Sequence, residues 1–411
     1  MFNRIVIIGN GFDLAHGLKT SYNDFLDWYW KQWINKLSKC TSKHEHDQLC
    51  KFGCTDRTDY DRTRLLSDLA SLLVDEKDIV SYVNDQTVLY YYEDKSTLFQ
   101  NIRQHQKIYN WVDIEEEYYA LLKKTSNAEQ ASKLNEDLSF IEQQLIEYLK
   151  EEESKLDSAI FETEIIREIK SELYSQLAEE DIAIGSDEIF DTICAERAEY
   201  KEEAYEQFES AYGKEYVVRP LIEKERIVHL GIERKIRGQF LMPDQVILLS
   251  FNYTKTAHIY ENPKVKVNHI HGTLDENIVF GYGDEMDSSY KEIENKNENK
   301  FLQKIKSFRY LGNNNYRELF RLVESAPFQI FIMGHSCGNS DRTLLNALFT
   351  HSNCISIKPY YYKNGDSNNY MELVQNISRC FEDKQMMRKR VLPITRCKEL
   401  PQNRMFVNPQ L

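Results

Sequence analysis

No CxxC pair occurs in this sequence, although it holds eight cysteines, at positions 40, 50, 54, 194, 337, 354, 380 and 397. That excludes a paired-cysteine zinc ribbon and a dithiol redox motif. The cluster Cys40, His44, His46, Cys50 and Cys54 matches no common zinc spacing, so free thiols and no metal site are expected. No apolar run approaches the ~20 residues of a membrane helix. The N-terminal apolar stretch is shorter than a signal peptide and runs straight into a glycine loop. A cytoplasmic protein without membrane contact is therefore expected. Positive charge is in deficit, with 52 Lys and Arg against 66 Asp and Glu and a formal net charge of −14. That balance argues against nucleic acid as a partner. The basic run "KQMMRKR", 384–390, reads as a solvated helix end. The apolar share of 41% is enough for a packed core.

Glycine and proline are almost absent from residues 27–240. There apolar and charged residues recur at helical spacing, as in "LSFIEQQLIEYLKEEESKLDSAIFETEIIREIKSELYSQLAEE". "TSNAEQASKLNEDL" reads as a turn opening a helix. On both sides of this block the texture is that of strands: "RIVII", then "QVILLSFNYT", "VKVNHIHGT", "NIVFGYG", "FQIFIMGHS" and "CISIKPYYY". Each apolar run ends in a polar or glycine-bearing loop, and several are separated by helix-length segments. This alternation predicts a parallel sheet covered by helices, with ligands beyond the carboxyl ends of the strands. The expected organisation is one discontinuous α/β domain, residues 1–30 plus 240–411, carrying a helical insertion at 31–239. The long insertion offers surface for a homo-oligomer.

The opening loop, "IIGNGFDLAHGLKTS", lacks the spacing of an ATP-binding P-loop, because Gly11 and Gly17 are too far apart and Leu18 precedes Lys19. It satisfies two of the three dinucleotide glycines, Gly9 and Gly11, with Leu14 at the third position. A strand, a tight glycine turn and a helix start remain. They suit a pyrophosphate and serve equally as a plain structural turn. Asp13 is a candidate for ribose hydroxyls or a helix cap. "GHSCG", 334–338, matches the nucleophile elbow of serine hydrolases. Beyond Ser336, however, only Asp341 and His351 could complete a triad, and both lie on or beside the next helix. A loop packed beside the first glycine loop is the plainer reading. "SFNYT" and "NHIHG" end two further strands, offering Asn252, His269 and His271. A histidine at a strand end suits a general base. Asp113 and Glu115 in "NWVDIEEEY" read either as an acid pair entering the site or as acids at a helix start.

Taken in order, "GNGFD", "SYNDF", "SFNYT", "HIHG", "VFGYGDE" and "GHSCGNSD" resemble the loops of sirtuin-type NAD-binding domains. The longer strings "IIGNGFDLAHGLKTSYNDF", "NWVDIEEEYY", "FNYT", "HIHG" and "GHSCGNSD" resemble the AbiH family of bacterial phage abortive-infection proteins, nearly end to end. The resemblance implies a Rossmann-like, sirtuin/DHS-like fold that binds NAD. Asn252 and His271 would be its catalytic pair. Gly9, Asn10, Gly11, Phe12, Asp13, Asp24, Phe25, Gly281, Gly334, His335, Ser336 and Asp341 would hold the dinucleotide. It implies a phage-defence enzyme that hydrolyses NAD at the nicotinamide–ribose bond and answers a phage-encoded trigger. Non-catalytic nucleotide sensing and ADP-ribosyl transfer are the alternatives. Missing CxxC pairs argue against protein deacetylation. Leu26 and Thr254 stand where the sirtuin pattern has arginine and aspartate.

Overall fold

The structure is a computed structural model that describes residues 1–55, 65–87, 89–109, 113–156, 163–186, 188–189, 191–193, 195–196 and 242–402. Residues 157–162, 201–241, Cys194 and the first three residues of "NWVDIEEEY" lie outside the described residues. The strands along the chain are β1 (Asn3–Ile8), β2 (His44–His46), β3 (Cys50–Cys54), β4 (Tyr90–Asp94), β5 (Gln245–Ser250), β6 (Val265–His269), β7 (Phe328–Met333), β8 (Cys354–Tyr361), β9 (Lys363–Asn364), β10 (Ser367–Asn368) and β11 (Lys398–Glu399). The chain divides into two compact units. The first comprises Met1–Leu18, Leu156–Val279 and Tyr310–Leu411; the second comprises Lys19–Lys155 and Phe280–Arg309.

The first unit is built on a six-stranded sheet, order β11-β8-β7-β1-β5-β6, in which every neighbouring pair is parallel. Its strands are apolar on both sides, as a sheet covered on two faces requires. Ile5, Ile7, Leu249, Ile330 and Ile332 pack in one cluster with Leu319 and Val323, Leu345 and Leu348, and Leu373 and Ile377. These come from the helices Asn315–Ser325, Arg342–Phe349 and Tyr370–Arg379. The alternate residues Val6, Ile8, Val246, Leu248, Phe331 and Met333 pack in a second cluster with Ile165, Ile166, Ile169 and Leu173 of the helix Glu164–Leu173. The chain runs outward from β1 through β5 to β6, then returns to the other side of β1 as β7. The strand order therefore reverses at β1, and in open α/β sheets the crevice at such a reversal is where ligands bind.

One expected strand is absent. "NIVFGYG" forms no strand; Val279 N–H donates to the His271 carbonyl at 2.8 Å, and Tyr282 makes only an isolated bridge to Ile305. Ile278 and Val279 are buried, so burial alone accounts for the apolar run without a ladder.

The second unit is largely helical, as the spacing predicts, with helices Tyr22–Ser38, Leu66–Leu73, Ile79–Gln86, Thr97–Tyr109, Ile114–Lys124 and Ala128–Glu153. Asn127 caps the last of these by accepting from Gln130 N–H, confirming the turn read at "TSNAEQ". The antiparallel sheet β2-β3-β4 is a departure from the helical expectation. Its strands are short, and cross-strand contacts such as Phe52 against Tyr92, centroids 5.2 Å apart, hold them where local pattern is weak. Glu115 is buried here and divides its carboxylate between Lys306 Nζ, 2.9 Å, and Gly281 N–H, 2.9 Å. Gly281 has φ +154°, and a Cβ there would lie 1.9 Å from the Lys304 carbonyl, so only glycine fits. Among the described residues no helix is long and apolar enough to cross a membrane, and no cysteine is joined in a disulfide. The run Lys384–Arg390, in the first unit, is a short helix with no buried residue.

Candidate functional site

The first unit brings the loops after β1, β5, β6 and β7 together. The glycine loop after β1 packs against the one after β7, as expected for a glycine-serine loop lying beside the first. Gly11 N–H donates to the Gly334 carbonyl at 2.8 Å. A Cβ on Gly334, at φ +78°, would sit 2.2 Å from Phe12 N, and one on Gly9 would sit 2.8 Å from His335 Cα. The glycines are thus needed for backbone-to-backbone approach, and the Gly11 amide is engaged by protein.

The six-residue helix after Gly9, Asn10–Ala15, is too short to hold itself and is tied down by side chains. Phe12 is fully buried in the core beside Tyr260 and His16. His16 Nδ1 lies 2.7 Å from the Phe12 carbonyl and its Nε2 lies 2.7 Å from Tyr260 Oη. Burial pushes this imidazole down to about 4, which keeps it neutral. Asp13 does not cap the helix, whose N-cap is Gly9. It is buried, and its carboxylate accepts from Thr254 Oγ1 at 2.6 Å. The threonine at the position of the sirtuin aspartate therefore joins the β5 loop to the glycine loop.

Asn252 is held beside the same loop. Its Nδ2 donates to the Gly9 carbonyl at 2.9 Å, and its own carbonyl accepts from Ser250 Oγ at 3.1 Å. His269 is the last residue of β6, and His271 lies in the turn beyond it, so their rings have different partners. His269 faces the Asn252 carbonyl and His258.

His271 belongs to a buried cluster. Its Nε2 lies 3.2 Å from Asp341 Oδ1 and 3.2 Å from Tyr310 Oη. The other carboxylate oxygen, Asp341 Oδ2, lies 3.4 Å from His335 Nε2. His335 Nδ1 accepts the Cys337 N–H at 2.9 Å, so its ring proton must sit on Nε2, facing Asp341. One carboxylate thus stands between two imidazoles. Phe251 meets both rings edge-on, with centroids 4.9 Å from His271 and 4.3 Å from His335. The relative exposures of His271, His335 and Asp341 are 3%, 6% and 8%. In this dry setting a shared carboxylate fixes ring orientation and tautomer more firmly than it would in water.

Asp341 precedes the helix Arg342–Phe349 but makes no side-chain cap; its carboxylate serves the imidazoles instead. Ser336 is exposed, and its carbonyl accepts from Asn376 Nδ2 at 2.9 Å. The non-glycine residue with positive φ in this loop is Cys337, φ +54°, not the serine, which removes the strained geometry of a nucleophile elbow. Burial raises the Cys337 thiol well above its usual range.

Three expected site residues fall in the second unit. Asp24 completes a capping box with Ser21 at the start of Tyr22–Ser38, and Phe25 packs in that unit's aromatic core against Trp28, Tyr29 and Tyr148. Gly281 there donates to Glu115. Asp113 caps Ile114–Lys124 by accepting from Glu115 and Glu116 N–H, the helix-start reading. Sequence reasoning missed Tyr310 and Phe251. Tyr310 lies outside any quoted motif and Phe251 stands unremarked inside "SFNYT"; only the convergence of distant loops brings them against His271.

A six-stranded parallel sheet flanked by helices, with buried polar groups gathered at its strand ends, defines an α/β protein whose architecture is compatible with a Rossmann-like fold. The family model "Bacteriophage abortive infection AbiH" matches residues 5–362, and the chain belongs to that family. Membership supports a role in phage defence by abortive infection. Searches of curated proteins and of solved structures returned no match.

Proposed function

We propose that the first unit binds NAD at the strand ends, inside the bacterial cell, and hydrolyses its nicotinamide–ribose bond when phage infection supplies a trigger. The observation that carries this reading is the His271–Asp341–His335 cluster at the carboxyl ends of a parallel sheet, beside Asn252 and the two glycine loops. In the reaction, water attacks C1′ of the nicotinamide ribose. The C1′–N bond breaks, its electron pair neutralises the pyridinium, and the water's proton passes to the base. ADP-ribose, nicotinamide and a proton result. Asp341 favours the His271 tautomer protonated at Nε2, which leaves Nδ1 as the basic nitrogen. Asn252 orients the ribose or the water. Such positioned proton transfer contributes ~10²–10⁴-fold. The sirtuin/DHS likeness of the loops supports NAD as the ligand.

The test is nicotinamide release from NAD by purified protein, alone and with extract of phage-infected cells. Release that falls by two orders of magnitude or more in His271→Ala supports the reading; equal inertness of wild type and variant under every trigger overturns it. Burial of the cluster favours a second reading, nucleotide sensing without turnover. Saturable NAD binding with no nicotinamide release would establish it. Labelling of protein from NAD carrying a tagged adenine would point to ADP-ribosyl transfer.

A further inference from the structure

Outside the His271 cluster, four groups of the first unit form a chain of contacts. Glu261 Oε2 lies 2.8 Å from His258 Nδ1, His258 Nε2 lies 3.1 Å from His269 Nε2, and His269 Nδ1 lies 3.3 Å from the Asn252 carbonyl. The two ends, a carboxylate and a carbonyl, can only accept. Three gaps each need a proton or another cation, and two neutral imidazoles bring only two protons. With each Nδ1–H committed to its outer acceptor, both Nε2 lone pairs point into the central gap. The ring centroids are 5.1 Å apart, well beyond the nitrogen separation, so the rings meet nitrogen to nitrogen rather than face to face.

We propose that His258 Nε2 and His269 Nε2 form a binding site for a divalent transition-metal ion of the copper(II) or nickel(II) class, with water completing the shell. The ion supplies the missing cation of the central gap and leaves both outer hydrogen bonds intact. A carboxylate on one Nδ1–H and a backbone carbonyl on the other are the outer partners that orient metal-bound histidines. Bonds of ~2.0 Å to nitrogens 3.1 Å apart subtend an angle of roughly 100°. An imidazole pair completed by water suits either metal, and copper(II) stands highest in the general affinity order of divalent ions. The His258 side chain is 42% exposed, which gives the ion and its waters a path in. Lys255, whose charge opposes a cation at His269, is ion-paired with Asp275. Among the described residues no group of three or more His, Cys, Asp and Glu side chains is placed to hold a metal, so this site offers two protein ligands.

The test is titration of the untagged full chain with copper(II), read by calorimetry and by electron paramagnetic resonance. The expected result is one site with a two-nitrogen signature that His258→Gln abolishes and Glu261→Gln weakens 10–100-fold. His258 is exposed, so its variant folds and carries the test even if His269→Gln does not. Copper binding unchanged in His258→Gln overturns the proposal. So does the absence of saturable binding, which would leave a shared proton between the rings. NAD turnover is not read in this experiment, so its outcome is independent of the reading above.

Discussion

Glu115 in the second unit and Asp341 in the first are both buried acids near the start of a helix, and they are used differently. In the second unit Glu115 accepts from Lys306, which is fully buried, and from a backbone amide. Both donors are permanent, so the arrangement is static. In the first unit Asp341 faces two imidazoles, whose ring nitrogens donate or accept according to tautomer. A buried carboxylate is thus no sign of chemistry by itself; the identity of its donors decides whether it holds a fold or positions a base.

Removing the permanent donor gives the largest effect. Lys306→Ala takes the buried ammonium away from the Glu115 carboxylate and should cost about 3–5 kcal/mol, read by urea denaturation. A loss within 0.5 kcal/mol would show that water reaches Glu115 and that the contrast between the units is false. Next is the pH response of the first unit. His16 and His269 are both held down to about 4 by burial, while the unfolded chain binds their protons near 6.5. The stability from keeping each neutral is fully present above pH 6.5 and is lost as pH falls toward 4. For His16 this loss is on the order of 3 kcal/mol. His16→Gln should flatten the fall, and denaturation midpoints between pH 4 and 7 measure it.

Asp341→Asn should cost about 1–3 kcal/mol, because an amide cannot accept from both imidazoles at once. If the proposed chemistry holds, nicotinamide release should fall far more than stability does, and parallel melting and activity assays separate the two. A loss of stability with unchanged turnover would make the Asp341 cluster as static as the Glu115 pair. Smallest is Asp113→Ala, the loss of one N-cap in the second unit, at about 1 kcal/mol in melting experiments and with no effect on ligand chemistry. A loss of activity without a loss of stability would instead restore Asp113 as a site residue.

Much of the first unit was legible because a two-faced parallel strand is apolar at every position and stops at a polar loop. β1, β5, β6, β7 and β8 all lie where such runs occur. "NIVFGYG" shows the limit of that signal, since burial without pairing leaves the same pattern. The sheet β2-β3-β4 shows the converse, as "HEH" and "CKFGC" carry little alternation and pair only through their neighbours. Among the candidate site residues, Asn252, His271 and the glycine loops were picked for lying at strand ends, and the structure places them just beyond the strands. Asp24 and Phe25 were drawn in by a linear motif, but the structure uses them as a cap and as core.

The sequence by itself determined the apolar strands of the parallel sheet, the loops that end them, the glycines those loops require and the family to which the chain belongs. These are local matters of side-chain polarity, spacing and backbone freedom. Only the tertiary structure decided that Asp341 holds His271 and His335 rather than capping its helix, that Thr254 serves Asp13, and that His258 meets His269. Asp341 with His271 and Thr254 with Asp13 join residues far apart in the chain, and even the nearer pairs depend on how the loops beyond neighbouring strands come together, which no local pattern encodes.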